Sequence, residues 1–185
     1  MIRQVDTNNP AQYNVALCPQ REAVLQFREL KAELKQVIGW YSACNADAHL
    51  TFDMFILTSV RLQQLEEDLE RFAAQVKEGK CTFSGFGFFD ESHTIFAKPD
   101  AETGDRLQEW FTTYKRHRSL PDGQELLSPH ITVGKGIKPV LWGRAKSLFV
   151  DKQFVTSFIC ADIAIRRFNP AKRQYDVYKR FSFTG

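Results

Sequence analysis

Apolar and polar positions along the chain recur with two different periods, and the changes of period mark out its elements. Three- and four-residue steps join Val24, Leu25, Phe27, Leu30, Leu34 and Ile38, predicting a helix over Arg21–Ile38 that Gly39, free to adopt positive φ, would end. A second helix is predicted from about Thr58 to Glu78, with Leu62, Leu65, Leu69, Phe72 and Val76 as its buried stripe and Gly79 as its stop. A third opens at Asp100, a suitable N-cap, and carries Leu107, Trp110, Phe111 and Tyr114; a fourth covers about Pro139 to Phe149.

Alternation with period two marks the strands. Tyr13–Leu17, Cys81–Phe89 and Thr94–Ala97 read this way. Gly85 and Gly87 suggest a bulge or a close backbone contact rather than a phosphate loop, because no helix opens after them. The C-terminal region reads as a hairpin. Phe158–Arg166 places Ile159, Ala161, Ile163 and Ile165 on one side, Asn169-Pro170 turns, and Tyr175, Val177, Phe181 and Phe183 share one side of the return strand. Residues 1–12 form a polar lead-in, and Pro121-Asp122-Gly123 marks a turn.

One short pattern occurs twice inside alternating runs: His49-Leu50-Thr51-Phe52 and His130-Ile131-Thr132-Val133. Successive strand side chains point to opposite faces, so His49 and Thr51 share one face, as do His130 and Thr132. Each strand thus offers an imidazole beside a hydroxyl. His93 and His117 fail the pattern and read as surface residues.

The paired His-x-Thr-x motifs, with apolar x, resemble those of the 2H phosphoesterase superfamily, which includes 2′-5′ RNA ligase-like proteins and cyclic phosphodiesterases. The resemblance covers most of the chain and implies an α+β, bilobal fold: two pseudo-twofold-related lobes, with antiparallel sheets backed by helices around a central cleft. Residues 1–185 are then expected to form a single bilobal domain. The resemblance also implies catalytic roles for His49, Thr51, His130 and Thr132.

Composition narrows the picture little. Lys and Arg number 25 against 22 Asp and Glu, so any phosphate-binding patch must be local. The 16 Phe indicate a well-packed globular protein. Cys18, Cys44, Cys81 and Cys160 are widely spaced without a Cys-x-x-Cys pair, which argues against structural zinc and favours reduced thiols, with Cys18 and Cys160 buried. No apolar stretch approaches the ~18 residues that span a bilayer, and a cytoplasmic location is expected.

Two histidines across a cleft suit in-line displacement at phosphorus, one imidazole taking a proton and an imidazolium giving one. The threonine hydroxyls can donate to the non-bridging oxygens without a metal. The expected activity is metal-independent opening of a 2′,3′-cyclic phosphate, or a related cyclic or 2′-5′ phosphodiester, of RNA or a nucleotide. The alternatives are RNA 2′-5′ ligation and a non-catalytic RNA-end or nucleotide-binding module. No cofactor, metal, membrane or obligate protein partner is expected. Substrate recognition is assigned by position to Trp40, Tyr41, Lys135 and Arg166, with at most one of Arg166 and Arg167 reaching the cleft; Tyr175 and Tyr178 can each stack a base or fill the core, the core being favoured for Tyr175. A metal hydrolase using Asp47 or Asp53 with the two histidines is a less favoured reading, the two carboxylates being expected on the face of His49, facing solvent or orienting that histidine.

Overall fold

The computed structural model describes residues 9–121, 123, 124 and 128–185, so most of the lead-in and the centre of the turn at Asp122 lie outside the described residues. The elements run β1 (Ala11–Leu17), α1 (Arg21–Ile38), β2 (Leu50–Leu57), α2 (Ser59–Ala73), β3 (Gly79–Phe89), β4 (Thr94–Pro99), α3 (Ala101–His117), β5 (Ile131–Gly134), α4 (Pro139–Phe149), β6 (Val155–Cys160), β7 (Asp162–Asn169) and β8 (Gln174–Ser182). They make two antiparallel four-stranded sheets, ordered β2-β1-β7-β8 and β5-β4-β3-β6. In each sheet the motif strand, β2 or β5, is at the edge, and the two motif strands lie close together. This is the α+β arrangement of two sheets with helices packed on them.

Helices α1 and α4 match the predicted spans, and Gly39 follows α1 with φ of 78°. The side chain of Asp100 accepts a hydrogen bond from the Thr103 amide at 2.8 Å, capping α3. Helix α1, which follows β1 of the first sheet, lies against the second. It packs on β5, β6 and α4, and a Cβ on Gly134 would collide with Leu34. Helix α2 packs on α3 and on the first sheet.

Three expectations are corrected. Helix α2 ends at Ala73, not near Glu78; Val76 is buried from the following turn, and Gly79 opens β3 instead of stopping a helix. The amides of Thr184 and Gly185 take the carbonyls of Ala73 and Val76, so the C-terminal residues serve as the partners that another helical turn would have supplied.

The run Phe158–Arg166 is not one strand. The chain breaks at Ala161 and passes from the second sheet (β6) to the first (β7), so Thr156, Phe158 and Cys160 turn inward while Ile159 is exposed. In β8 a register shift opposite Ile165 and Arg166 reverses the facing of side chains. Phe181 is buried, Val177 is exposed, and Tyr175 lines the cleft.

The expectation at Gly85 and Gly87 holds. Gly85 has φ of 65° at a bulge, and a Cβ on Gly87 would collide with the Phe96 ring. The four cysteines are free thiols, Cys81 and Cys160 buried and Cys18 and Cys44 half-buried. Among the described residues, no helix is long and apolar enough to cross a membrane.

Candidate active site

The two motifs meet at a cleft of about 440 Å³ lined by His49, Thr51, His130 and Thr132. Each histidine sits one residue before its strand begins. The Nδ1 of His49 is 2.7 Å from the main-chain carbonyl of Asp47, and that of His130 is 2.7 Å from the carbonyl of Ser128. A carbonyl only accepts, so each Nδ1 carries the hydrogen and each neutral ring keeps its Nε2 lone pair for the cleft. Residue i−2 thus sets the same tautomer at both sites.

A second repeated device lies just after each threonine. Val15 pairs with Asp53 but Ala16 with Thr51, leaving Phe52 as an extra residue; Ile95 pairs with Gly134 but Phe96 with Thr132, leaving Val133. Each motif strand therefore carries a β-bulge that shifts its facing by one residue. The cleft consequently receives the third residue past each threonine, Met54 in one lobe and Lys135 in the other.

The bulge also removes Asp53 from the face of His49, correcting the sequence reading. Asp53 is fully buried on the opposite side, where it accepts from Tyr114 Oη at 3.0 Å and Arg118 Nε at 2.6 Å. The Asp47 side chain is exposed in an ion pair with Arg28, and it is the Asp47 main chain that orients His49. Among the described residues no three His, Cys, Asp or Glu side chains are grouped as metal ligands.

The candidate recognition residues divide. Lys135 and Arg166 line the cleft, whereas Arg167 points to solvent. Tyr41 does not reach the cleft: it is buried, with its hydroxyl 3.1 Å from the carbonyl of Val133, the bulged residue whose position in the ladder is lost. Trp40 stands 63% exposed beside a neighbouring hollow with Phe168 and Lys172.

Among the other residues of the cleft are Lys31, Asn14 and Tyr175, the last expected in the core. Lys31 is buried on α1, its ammonium donating to the carbonyls of Ala46 at 2.6 Å and Ala43 at 3.3 Å. Its position on the inner stripe of α1, where an apolar residue is the norm, is the one signal it gives. Asn14 is buried on β1 within an apolar run and gives no such signal. Tyr175 lines the cleft with its ring 5.9 Å from the Arg166 guanidinium.

The two imidazoles feel different surroundings. Burial, and after it the charge of Arg166, lowers His49 from an ordinary 6.5 to about 3, with Lys31 acting in the same direction. His130 is lowered by burial, against which the Ser128 carbonyl favours its protonated form, with Lys135 as the nearby cation. The rings of Phe96 and Phe89 lie against His130, with centroids 5.0 and 5.3 Å away. Burial also brings Lys31 down to about 8.

A family model described as the 2′-5′ RNA ligase superfamily matches residues 18–169. Among solved structures, TT0787 of Thermus thermophilus is similar with a TM-score of 0.65 and 20% identity, over 94% of this chain and 98% of that one. Escherichia coli LigT complexed with phosphate is similar with a TM-score of 0.62 and 13% identity, over 96% and 100%. LigT complexed with 3′-AMP gives 0.61 and 14%, over 95% and 99%. No curated protein sequence matches the chain.

Proposed function

The chain belongs to the 2′-5′ RNA ligase superfamily, and on that footing we propose that it opens a ribose 2′,3′-cyclic phosphate, or a related cyclic or 2′-5′ phosphodiester, without a metal. The observation that carries this reading is the matched pair of Nδ1–carbonyl bonds, which leaves two Nε2 atoms for one cleft that two threonines also line. That LigT, alike in fold, binds phosphate and 3′-AMP supports a ligand of this class.

In the proposed reaction His49 is the base and His130 the acid. Water attacks phosphorus as its proton passes to His49 Nε2. The P–O bond to one ribose oxygen breaks, and that oxygen takes the proton from His130 Nε2–H. Burial, and after it the charge of Arg166, keeps His49 free of a proton, whereas at His130, also lowered by burial, the Ser128 carbonyl favours the imidazolium. The diester anion, on entering among Lys31, Arg166 and Lys135, offsets their field and raises both proton affinities toward the working range. Thr51 and Thr132 donate to the non-bridging oxygens, where negative charge concentrates. Ligation is the same path with the 5′-hydroxyl of a second RNA strand in the place of water, its proton passing to His49 as the ribose oxygen takes one from His130.

The test is turnover of the four nucleoside 2′,3′-cyclic phosphates in excess chelator. His49→Ala and His130→Ala are each expected to lose about 10²–10⁴-fold in kcat/KM. Near-full activity in either variant overturns the reading.

A further inference from the structure

Within the cleft, polar groups in corresponding places of the two lobes are treated differently. Two residues before Ala16, the partner of Thr51, stands Asn14; two before Phe96, the partner of Thr132, stands Thr94. Both are buried and both line the cleft. Thr94 is satisfied from its own lobe, its hydroxyl 3.0 Å from Ser92 Oγ and 3.3 Å from the Ser92 carbonyl. Asn14 Oδ1 has no partner among the described residues, and neither has Nη1 of Arg166, the residue paired with Asn14 on the adjacent strand.

Asn14 is 2% and Arg166 5% exposed, so both unpartnered atoms are out of reach of bulk solvent. Arg166 is held by its other nitrogen, Nη2 donating to the Tyr175 carbonyl at 3.1 Å. Met54 flanks Asn14 on the other side in the strand register. A buried acceptor beside a buried donor, each left open, calls for a ligand group offering a donor next to an acceptor. A phosphodiester offers acceptors only, so it can answer Arg166 but not Asn14 Oδ1.

We propose that Asn14 and Arg166, with the Tyr175 ring beside them, form a subsite in the first lobe that binds the edge of the substrate's nucleobase. This rests on the proposed reading of the cleft as a phosphodiester site and adds the requirement that the substrate carry a base. Each of the four bases presents a hydrogen-bond donor beside an acceptor, so the subsite separates base-bearing from base-free substrates rather than one base from another. The ribose 5′-hydroxyl offers the same chemistry on a single atom and is the other source that the test must separate.

The experiment compares nucleoside 2′,3′-cyclic phosphates with the base-free methyl riboside 2,3-cyclic phosphate, which keeps the 5′-hydroxyl, for the wild type, Asn14→Leu and Arg166→Met. The wild type is expected to prefer the base-bearing substrates by about 100-fold in kcat/KM, and Asn14→Leu to reduce that preference to within about fivefold. A wild type that does not distinguish the two, or a folded Asn14→Leu with the preference intact, overturns the subsite. A loss in Asn14→Leu that is equal on both substrates assigns Asn14 to the sugar and overturns it too. If no cyclic phosphate is turned over, the catalytic reading fails on its own, and binding of nucleoside 3′-monophosphates still reads the subsite. A Kd at least about tenfold weaker in both variants supports it, and no binding or an unchanged Kd overturns it.

Discussion

His49 and His130 enter the cleft by the same main-chain means, yet one stands near Arg166 and Lys31 and the other near Lys135, against two phenyl rings. The parallel runs position by position. Each imidazole binds the carbonyl two residues upstream, and each threonine is followed by a bulged residue. Across the sheets, Ala16 and Ala164 next to Thr51 correspond to Phe96 and Gly87 next to Thr132. Met54, Asn14 and Arg166 correspond to Lys135, Thr94 and Phe89. What both histidines need alike, a tautomer and a direction for Nε2, comes from the backbone and is repeated. What the proposed acid and base need differently, proton affinity, is set by burial and then by flanking side chains, and those are not repeated.

The sharpest way to break this comparison is to change the leaving group. On a nucleoside 3′-(4-nitrophenyl) phosphate, whose leaving phenolate needs no proton, His130→Ala is expected to recover to within about tenfold of the wild type. His49→Ala should stay down by about 10²–10⁴-fold, as on cyclic phosphates. The opposite pattern in steady-state rates would exchange the two roles.

Acid stability offers a second contrast. His49 has a folded value of about 3 against an ordinary 6.5, so between these limits the unfolded chain binds the extra proton. Stability contributed by the neutral ring is therefore present above about 6.5 and lost as pH falls toward 3. Chemical denaturation across that window should show a shallower pH slope in His49→Gln than in the wild type.

Smaller effects should move the two limbs of the pH–rate profile separately. Arg166→Met removes a positive charge near His49, raises its proton affinity, and shifts the acidic limb to higher pH. Lys135→Met removes the cation near His130, raises that imidazole's proton affinity, and shifts the basic limb to higher pH. A single substitution that moved both limbs together would show that the lobes do not set the two affinities independently.

Much of this arrangement was legible in the sequence, because its signals are local. The paired His-x-Thr-x runs, the helix spacing of α1 and α4, and the cap at Asp100 depend on residues adjacent in the chain. The bulges after Thr51 and Thr132 were not legible. In neither is the extra residue a glycine, and each is defined by pairing with a distant strand, so strict alternation placed Asp53 on the face of His49 and missed Met54. The sheet change at Ala161 is hidden likewise, since apolar residues continue evenly through it. Asn14 reads as one polar residue in an ordinary strand until Arg166 is seen beside it.

The first sheet combines β1 and β2 with β7 and β8, whereas the second uses only strands between Gly79 and Cys160. A chain emerging from the ribosome can therefore complete the lobe of His130 while the lobe of His49 is still a two-stranded fragment. Its two missing strands follow β6 in the chain, and Arg166 and Tyr175 come with them. The cleft is thus complete only once β7 and β8 have been made, after every strand of the other lobe, and a nascent chain that stops at β6 carries the lobe of His130 without its facing wall.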